Sequence, residues 1–286
     1  MTTGSPSASP SPGVVACVKW VDLRPEVDSL TGHVHHDERH FGWSPADESA
    51  VGLALAVGSA WAMPVTVVCA GPVGAEGALR DLLARRVDRV IRINIDHAMT
   101  SASVADELAA TVMGGLDGTL VVCGDHSLDG GSGSVPAFLA HRLGCSQALG
   151  LSDVTVGSAP FTLRALRRLG GGRKERLEIT APAVISVEAG IGVLPRAALA
   201  AAMAARRAPV EVQSARHTPV VAASITAPYR PRPRVLPAPA ASTAFDRVLE
   251  LTGALVDPTP PQRLDLDPPA AARAILDAVR SWTSSD

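Results

Sequence analysis

Thr119-Leu120-Val121-Val122-Cys123 runs directly into Gly124-Asp125-His126-Ser127-Leu128-Asp129-Gly130-Gly131-Ser132-Gly133-Ser134, and that into Val135-Pro136-Ala137-Phe138-Leu139-Ala140-His141-Arg142-Leu143. The first segment is short and almost wholly apolar, as a strand buried on both faces is. The second is a run of small and polar residues that no regular element accommodates. The third is dense in helix formers and places a proline in its first turn. Strand, small-residue loop and helix together form half of a parallel βαβ unit, and that unit sets the fold class.

The same grammar extends in both directions. Val14-Val15-Ala16-Cys17-Val18, Val65-Thr66-Val67-Val68-Cys69, Val90-Ile91-Arg92-Ile93 and Ala183-Val184-Ile185-Ser186-Val187 read as further strands. Residues 48–63, 74–86, 101–113 and 135–143 read as helices between them. Strands apolar on both faces, alternating with helices, predict a doubly wound α/β domain with a mainly parallel sheet covered on both sides. It spans residues 14–213. Before it, residues 1–13 form a Ser/Pro-rich tail with neither a basic start nor an apolar core, which is not a signal peptide. After it, residues 214–241 carry recurrent prolines and read as a stiff linker. Residues 242–286 form an arm with two short amphipathic helices, one from Ala244 to Leu251 and one opened by Asp267-Pro268-Pro269 and running to Trp282. Their apolar residues Phe245, Leu249, Ile275, Val279 and Trp282 need a surface to cover.

Composition excludes several classes. Of 286 residues, 47% are hydrophobic and 19% charged, with 26 Lys+Arg against 28 Asp+Glu and a net charge of −2. That balance offers no field for nucleic acid or an anionic membrane, and 3% aromatic residues make no base-stacking platform. The uncharged stretch from Ser49 to Gly71 is long enough to span a bilayer, but Pro64 and its glycines split it into a helix and a strand. The four cysteines, Cys17, Cys69, Cys123 and Cys145, form no Cys-x-x-Cys pair, so a reducing, cytoplasmic setting is expected.

The Gly-rich loop has two readings. Its small residues expose backbone N–H groups at a helix N-terminus beyond the carboxyl end of a strand, which is a phosphate cradle. Alternatively it is a flexible loop in which Ser134 simply caps the helix. There is no Gly-Lys-Ser/Thr, no Gly-x-Gly-x-x-Gly after a first strand and no Gly-x-Ser-x-Gly. His33, His35, His36 and His40 cluster after a turn signal. On one strand His33 and His35 would share a face, yet the segment reads as a solvated hairpin rather than a metal site. Cys17, Cys69 and Cys123 each end a strand, where they pack as small hydrophobes or approach one cleft. No triad or carboxylate pair stands out, so no catalytic residue is assigned.

Taken in order, these segments resemble the beta subunit of electron transfer flavoproteins. The resemblance rests on Val15-Ala16-Cys17-Val18-Lys19-Trp20-Val21 at the opening strand and Ser44-Pro45-Ala46-Asp47-Glu48-Ser49-Ala50 before the first long helix. It continues through Gly71-Pro72, Ala78-Leu79-Arg80 and Val87-Asp88-Arg89, the loop from Gly124 to Val135, Ala181-Pro182-Ala183-Val184-Ile185, and Pro260-Pro261-Gln262-Arg263 in the arm. It implies a heterodimer with an alpha subunit that carries the redox-active FAD, while the beta subunit holds a structural AMP or, in electron-bifurcating members, a second FAD. By position, the nucleotide would contact Cys17, Ser44, Pro45, Ala46, Asp47, Ala70 and the loop Gly124, Asp125, His126, Ser127, Leu128, Asp129, Gly130, Gly131, Ser132, Gly133, Ser134 and Val135. The phosphate would rest on Gly131 to Ser134. Ser44 stands where the family has Asn, and Ala46 where it has Phe.

Ile191, Gly192, Val193, Leu194, Pro195 and Arg196 occupy the family's dehydrogenase-docking segment, without its Asn-Glu-Pro-Arg-Tyr; the same residues also read as a plain turn into the next helix. The resemblance further implies that electrons pass from a flavin or redox-cofactor dehydrogenase to a quinone reductase or another acceptor. The departures suggest a divergent bacterial branch, one serving a specialised redox system such as that of mycofactocin. Two other functions fit the same fold: a nucleotide-hydrolysing or adenylylating enzyme using Asp125, Asp129, His126 and Arg142, and a scaffold that has lost its ligand.

Overall fold

A computed structural model describes residues 13–95, 99–112, 119–216, 238–253 and 263–283. In chain order the strands and α-helices are β1 (Val14–Val18), β2 (Val21–Asp22), β3 (Glu26–Val27), β4 (Val34–His35), β5 (Phe41–Gly42), α1 (Pro45–Trp61), β6 (Val65–Gly71), α2 (Glu76–Leu83), β7 (Arg89–Asn94), α3 (Ser101–Val112) and β8 (Leu120–Gly124). They continue with α4 (Val135–Leu143), β9 (Ser146–Val156), β10 (Thr162–Arg168), β11 (Lys174–Thr180), β12 (Ala183–Val187), α5 (Leu199–Ala205), β13 (Glu211–Ser214), α6 (Ala244–Thr252) and α7 (Pro268–Thr283).

Nine strands form one sheet in the order β11-β10-β9-β12-β8-β1-β6-β7-β13. Every pair from β9 through β12, β8, β1, β6 and β7 to β13 is parallel, while β9-β10 and β10-β11 are antiparallel. From β1 the chain moves outward on one side to β6 and β7, then returns to place β8 on the other side of β1. The strand order therefore reverses between β1 and β8, the position where doubly wound sheets open a crevice.

Side-chain alternation divides the core. Val14, Ala16, Val18, Val67, Cys69, Leu120, Val122 and Ile185 face α1 and α2. Cys17, Val68, Ile91, Ile93, Val121, Cys123 and Val184 face α3 and α4. The five strands expected from valine-rich runs are all present, β1 and β12 over the expected residues. Helix α4 also matches, whereas α1 begins three residues before the expected Glu48, because Ser44 caps it and Pro45 opens its first turn. The antiparallel wing β9–β11 is a departure from the sequence reading. Its strands are amphipathic and half-exposed and lack the apolar runs that mark the central strands.

The long uncharged stretch from Ser49 to Gly71 is indeed a helix and a strand, and no helix among the described residues is long and apolar enough to cross a membrane.

The chain divides into two compact units, residues 1–229 and 230–286. In the second, α6 is capped by Thr243, whose hydroxyl accepts the Asp246 N–H, and stopped by Gly253 in the left-handed region. Asp267 Oδ1 accepts the Ala270 N–H at the start of α7, as its sequence led us to expect. The prolines of the linker between 217 and 237, the Pro260-Pro261-Gln262 motif and the tail before Gly13 lie outside the described residues.

Candidate functional site

At the point of reversal, beyond the ends of β1 and β8, lies a cleft of about 220 Å³. Its floor is Cys17, Val18 and Lys19 from β1 and its extension, with Cys123 and Gly124 from β8. One wall is apolar: Ala70 from β6, Met99, Val104 and Leu108 from the α3 region, and Val135 and Pro136 from α4. The other is the Gly-rich loop, contributing His126, Ser127, Gly130, Ser132, Gly133 and Ser134, and Asp47 closes one end. A flat apolar group fits the first wall and an anion the second.

The loop is shaped by its glycines where the backbone demands them. Gly131 and Gly133 adopt φ +64 and +58, and a Cβ on Gly133 would stand 2.4 Å from the Asp125 carbonyl oxygen. Gly124 lets the end of α1 approach: a Cβ there would lie 3.1 Å from Ala46 Cβ and from Asp47 Oδ1. Ser134 makes no capping bond to α4. Its hydroxyl pairs with that of Ser132 at 3.0 Å. The reading in which Ser134 merely caps the helix thus fails, and the first N–H groups of α4 lack a side-chain cap beside the cleft.

Charge is sparse here. Lys19 Nζ sits 2.7 Å from Asp129 Oδ2, tying the end of β1 to the loop. Partial burial works against ionisation of Asp129, but Lys19, Ser127 and the Gly130 N–H together hold its carboxyl below the usual range. His126 Nδ1 lies 2.8 Å from Asp125 Oδ1, fixing the imidazole on the wall. Asp47 is the buried exception. It is the third residue of α1, its backbone N–H is accepted by Ser44 Oγ at 3.1 Å, and the Ser44 hydroxyl donates to Asp47 Oδ2 at 2.9 Å. Burial pushes this carboxyl up to about 6, against the hydrogen bonds from Ser44 and the Lys19 backbone.

Of the expected nucleotide contacts, the cleft collects Cys17, Asp47, Ala70, Gly124, His126, Ser127, Gly130, Ser132, Gly133, Ser134 and Val135. Ser44, Pro45, Ala46, Asp125, Leu128, Asp129 and Gly131 are not part of that lining. Lys19, Met99, Val104 and Leu108 belong to the lining and were missed; Lys19 alone carried a signal, as a cation ending the first strand. Cys69 faces the opposite side of the sheet from Cys17 and Cys123, so the cysteines do not converge as a trio. His35 lies on the small β3-β4 hairpin with the His33 ring 4.5 Å away, and among the described residues no group of metal-ligating side chains forms.

The segment Ile191–Arg196 is half structural. Ile191 and Leu194 pack against the core and Gly192 donates its N–H to Ser49 Oγ at 2.8 Å. Val193 is 83% exposed.

The sequence that carries the Gly-rich loop and the antiparallel wing is matched by a known family model. The model of the electron transfer flavoprotein domain fits residues 32–218. The chain belongs to this family. It is 35% identical over 131 residues to the electron transfer flavoprotein subunit beta of Mycobacterium tuberculosis (strain ATCC 25618 / H37Rv), a match covering 43% of this chain and 46% of the relative. It is 28% identical over 212 residues to Protein FixA of Azorhizobium caulinodans, covering 71% and 75%. To the electron transfer flavoprotein subunit beta of Bacillus subtilis it is 25% identical over 192 residues, covering 66% and 74%. The matched segment thus spans less than half the length of the mycobacterial relative. The doubly wound fold and the electron transfer flavoprotein resemblance expected from sequence both hold.

Proposed function

We propose that this chain is the beta-type subunit of a heterodimeric electron transfer flavoprotein, an electron carrier without catalytic residues of its own. In this reading it supports an FAD-bearing alpha subunit and holds a structural AMP. It also docks a dehydrogenase, so that electrons reach a quinone reductase or another acceptor. The observation that carries the proposal is the cleft at the β1-β8 reversal, which pairs an apolar wall with a small-residue loop shaped by Gly131 and Gly133. The residues fit an adenine nucleotide. Ala70, Met99, Val104 and Leu108 suit a base. Ser127, Gly130, Ser132, Gly133, Ser134 and the α4 N-terminus suit a phosphate, with Lys19 as a nearby cation and the His126 ring beside it. When bound, FAD would supply the redox chemistry. This chain's residues bind, orient and exclude water.

Two surfaces suit the partners this reading requires. Val193 projects from a loop anchored by Ile191, Gly192 and Leu194, so a firm base presents an exposed apolar tip to a dehydrogenase. The arm leaves Phe245, Val248 and Leu251 on α6, and Ile275, Leu276 and Val279 on α7, exposed, which suits a segment that wraps an alpha subunit.

The test is co-expression with a candidate alpha subunit, purification of the complex, denaturation, and identification of the released nucleotides by chromatography and mass. AMP and FAD, about one of each per heterodimer, are expected. FAD alone would leave the cleft as a scaffold feature. Two FAD with no AMP would replace the structural nucleotide by a second flavin. Turnover of ATP by the isolated chain would favour the hydrolase reading.

A further inference from the structure

The two thiols at the base of the cleft have a geometry of their own. Cys17 on β1 and Cys123 on β8 are register partners across a parallel pair, and both lie on the sheet face covered by α3 and α4. Adjacent strands run roughly 4.8 Å apart, inside the range of roughly 4.4–6.8 Å between Cα atoms that a disulfide spans. The Cys17 thiol beside it, together with burial, pushes Cys123 well above the ordinary thiol range. Both are nearly closed to bulk solvent, yet both line the cleft, so a small solute that enters it meets them together. Cys69, by contrast, is fully buried on the other face, and Cys145 lies outside the cleft.

We propose that Cys17 and Cys123 form an oxidisable dithiol on the floor of the cleft, which a peroxide closes to an intramolecular disulfide when the cleft is empty and which a bound nucleotide shields. Cys17 is the attacking sulfur, because the Cys123 thiol is held protonated by burial beside it. The Cys17 sulfur takes one oxygen of the peroxide, the O–O bond breaks, and the departing hydroxide takes up the Cys17 thiol proton, leaving as water. Cys17 is then a sulfenic acid. The Cys123 sulfur attacks Cys17 Sγ, the S–O bond breaks, and the Cys123 proton leaves with the oxygen as a second water. Two thiols and one hydrogen peroxide thus yield one disulfide and two waters, with two electrons passing from sulfur to oxygen. The bond pins the carboxyl ends of β1 and β8 together at the point of reversal. The shielding half of the proposal rests on the nucleotide reading above; the dithiol half does not.

The full-length chain, reduced and freed of reductant, is treated with hydrogen peroxide in the presence and absence of AMP. Remaining thiols are alkylated, and cross-linked peptides are mapped by mass spectrometry. AMP binding is measured separately by calorimetry. A Cys17–Cys123 link is expected without AMP. It should be missing in Cys17→Ala and Cys123→Ala. AMP at ten times its dissociation constant should slow its formation about tenfold, since only the open fraction reacts. Persistently alkylatable Cys17 and Cys123 in the wild-type chain, or a link to Cys69 or Cys145 instead, would overturn the dithiol. A link that forms at an unchanged rate while calorimetry shows AMP bound would overturn the shielding. A link that forms in a chain that binds no AMP would uphold the dithiol and count against the nucleotide reading instead.

Discussion

Gly133 and Asp47 are the residues where the site's physics is most local. Gly131 and Gly133 share a left-handed conformation, but only Gly133 is also hemmed in, by the Asp125 carbonyl. Gly133→Ala should therefore disturb the loop more than Gly131→Ala, whose Cβ would meet open space and cost only the backbone strain, about 1 kcal/mol. Nucleotide content after purification should fall in the first variant and change much less in the second. Asp47 makes an electrostatic prediction. Its folded-state value of about 6 lies above its ordinary 3.8. Below pH ~3 both states are protonated and nothing is lost. As pH rises towards 6 the unfolded chain gives up its proton first, so folding stability falls, and above that the penalty is constant. Asp47→Asn should remove this slope and raise stability at pH 7 by on the order of 3 kcal/mol. Urea midpoints between pH 4.5 and 7 check it; parallel curves for wild type and variant would contradict it. The capping sequence Ser44-Pro45-Ala46-Asp47 was read as lying before the helix that it in fact opens. That its carboxylate would be buried against Gly124 was not legible, since the contact joins residues far apart in sequence.

Among the elements, the central strands were readable because burial on both faces leaves little room for anything but valine, isoleucine, leucine and small residues. Ile185 in β12 is fully buried, and Ile185→Ala should cost about 2–5 kcal/mol by opening a cavity. The wing β9–β11 escaped the same reading because one of its faces carries Arg164, Arg168, Lys174 and Arg176, and period-two alternation in so charged a run resembles a loop. The meeting of α1 with the loop after β12 was equally hidden. Gly52 and Gly192 allow backbone to touch backbone there, and a Cβ on Gly192 would come within 2.2 Å of the Ser49 carbonyl oxygen and the Leu53 nitrogen. Gly192→Ala should lower stability by roughly 1–3 kcal/mol as the loop is pushed off the helix. Val193→Asp, at the exposed tip, should leave the melting temperature unchanged while weakening association with a dehydrogenase. A matching loss of stability in Val193→Asp would mean the tip is structural.

For the whole molecule, the doubly wound sheet dictates where a ligand can sit: the order reverses between β1 and β8, and the cleft lies there. The near-neutral, aromatic-poor composition agrees with the proposed small anionic ligand and protein partner. The second unit follows from the same reasoning. Its helices bury little by themselves, and removal of residues 238–286 should leave the melting of the first unit unchanged while abolishing co-purification with an alpha subunit. The helices of the arm were legible, the first through its amphipathic pattern and the second through its Asp267 cap. What they rest on was not, because an amphipathic face specifies burial without specifying the surface that provides it.

The central claim is that the cleft at the β1-β8 reversal holds an adenine nucleotide on the Gly-rich loop. Calorimetric titration of AMP into the full-length chain, stripped of any nucleotide carried through purification, tests it against Gly133→Val in the same buffer. One AMP bound per chain, with binding lost in a variant that still folds cooperatively, is the expected result. Equal affinity in the two proteins would place the nucleotide elsewhere and contradict the account.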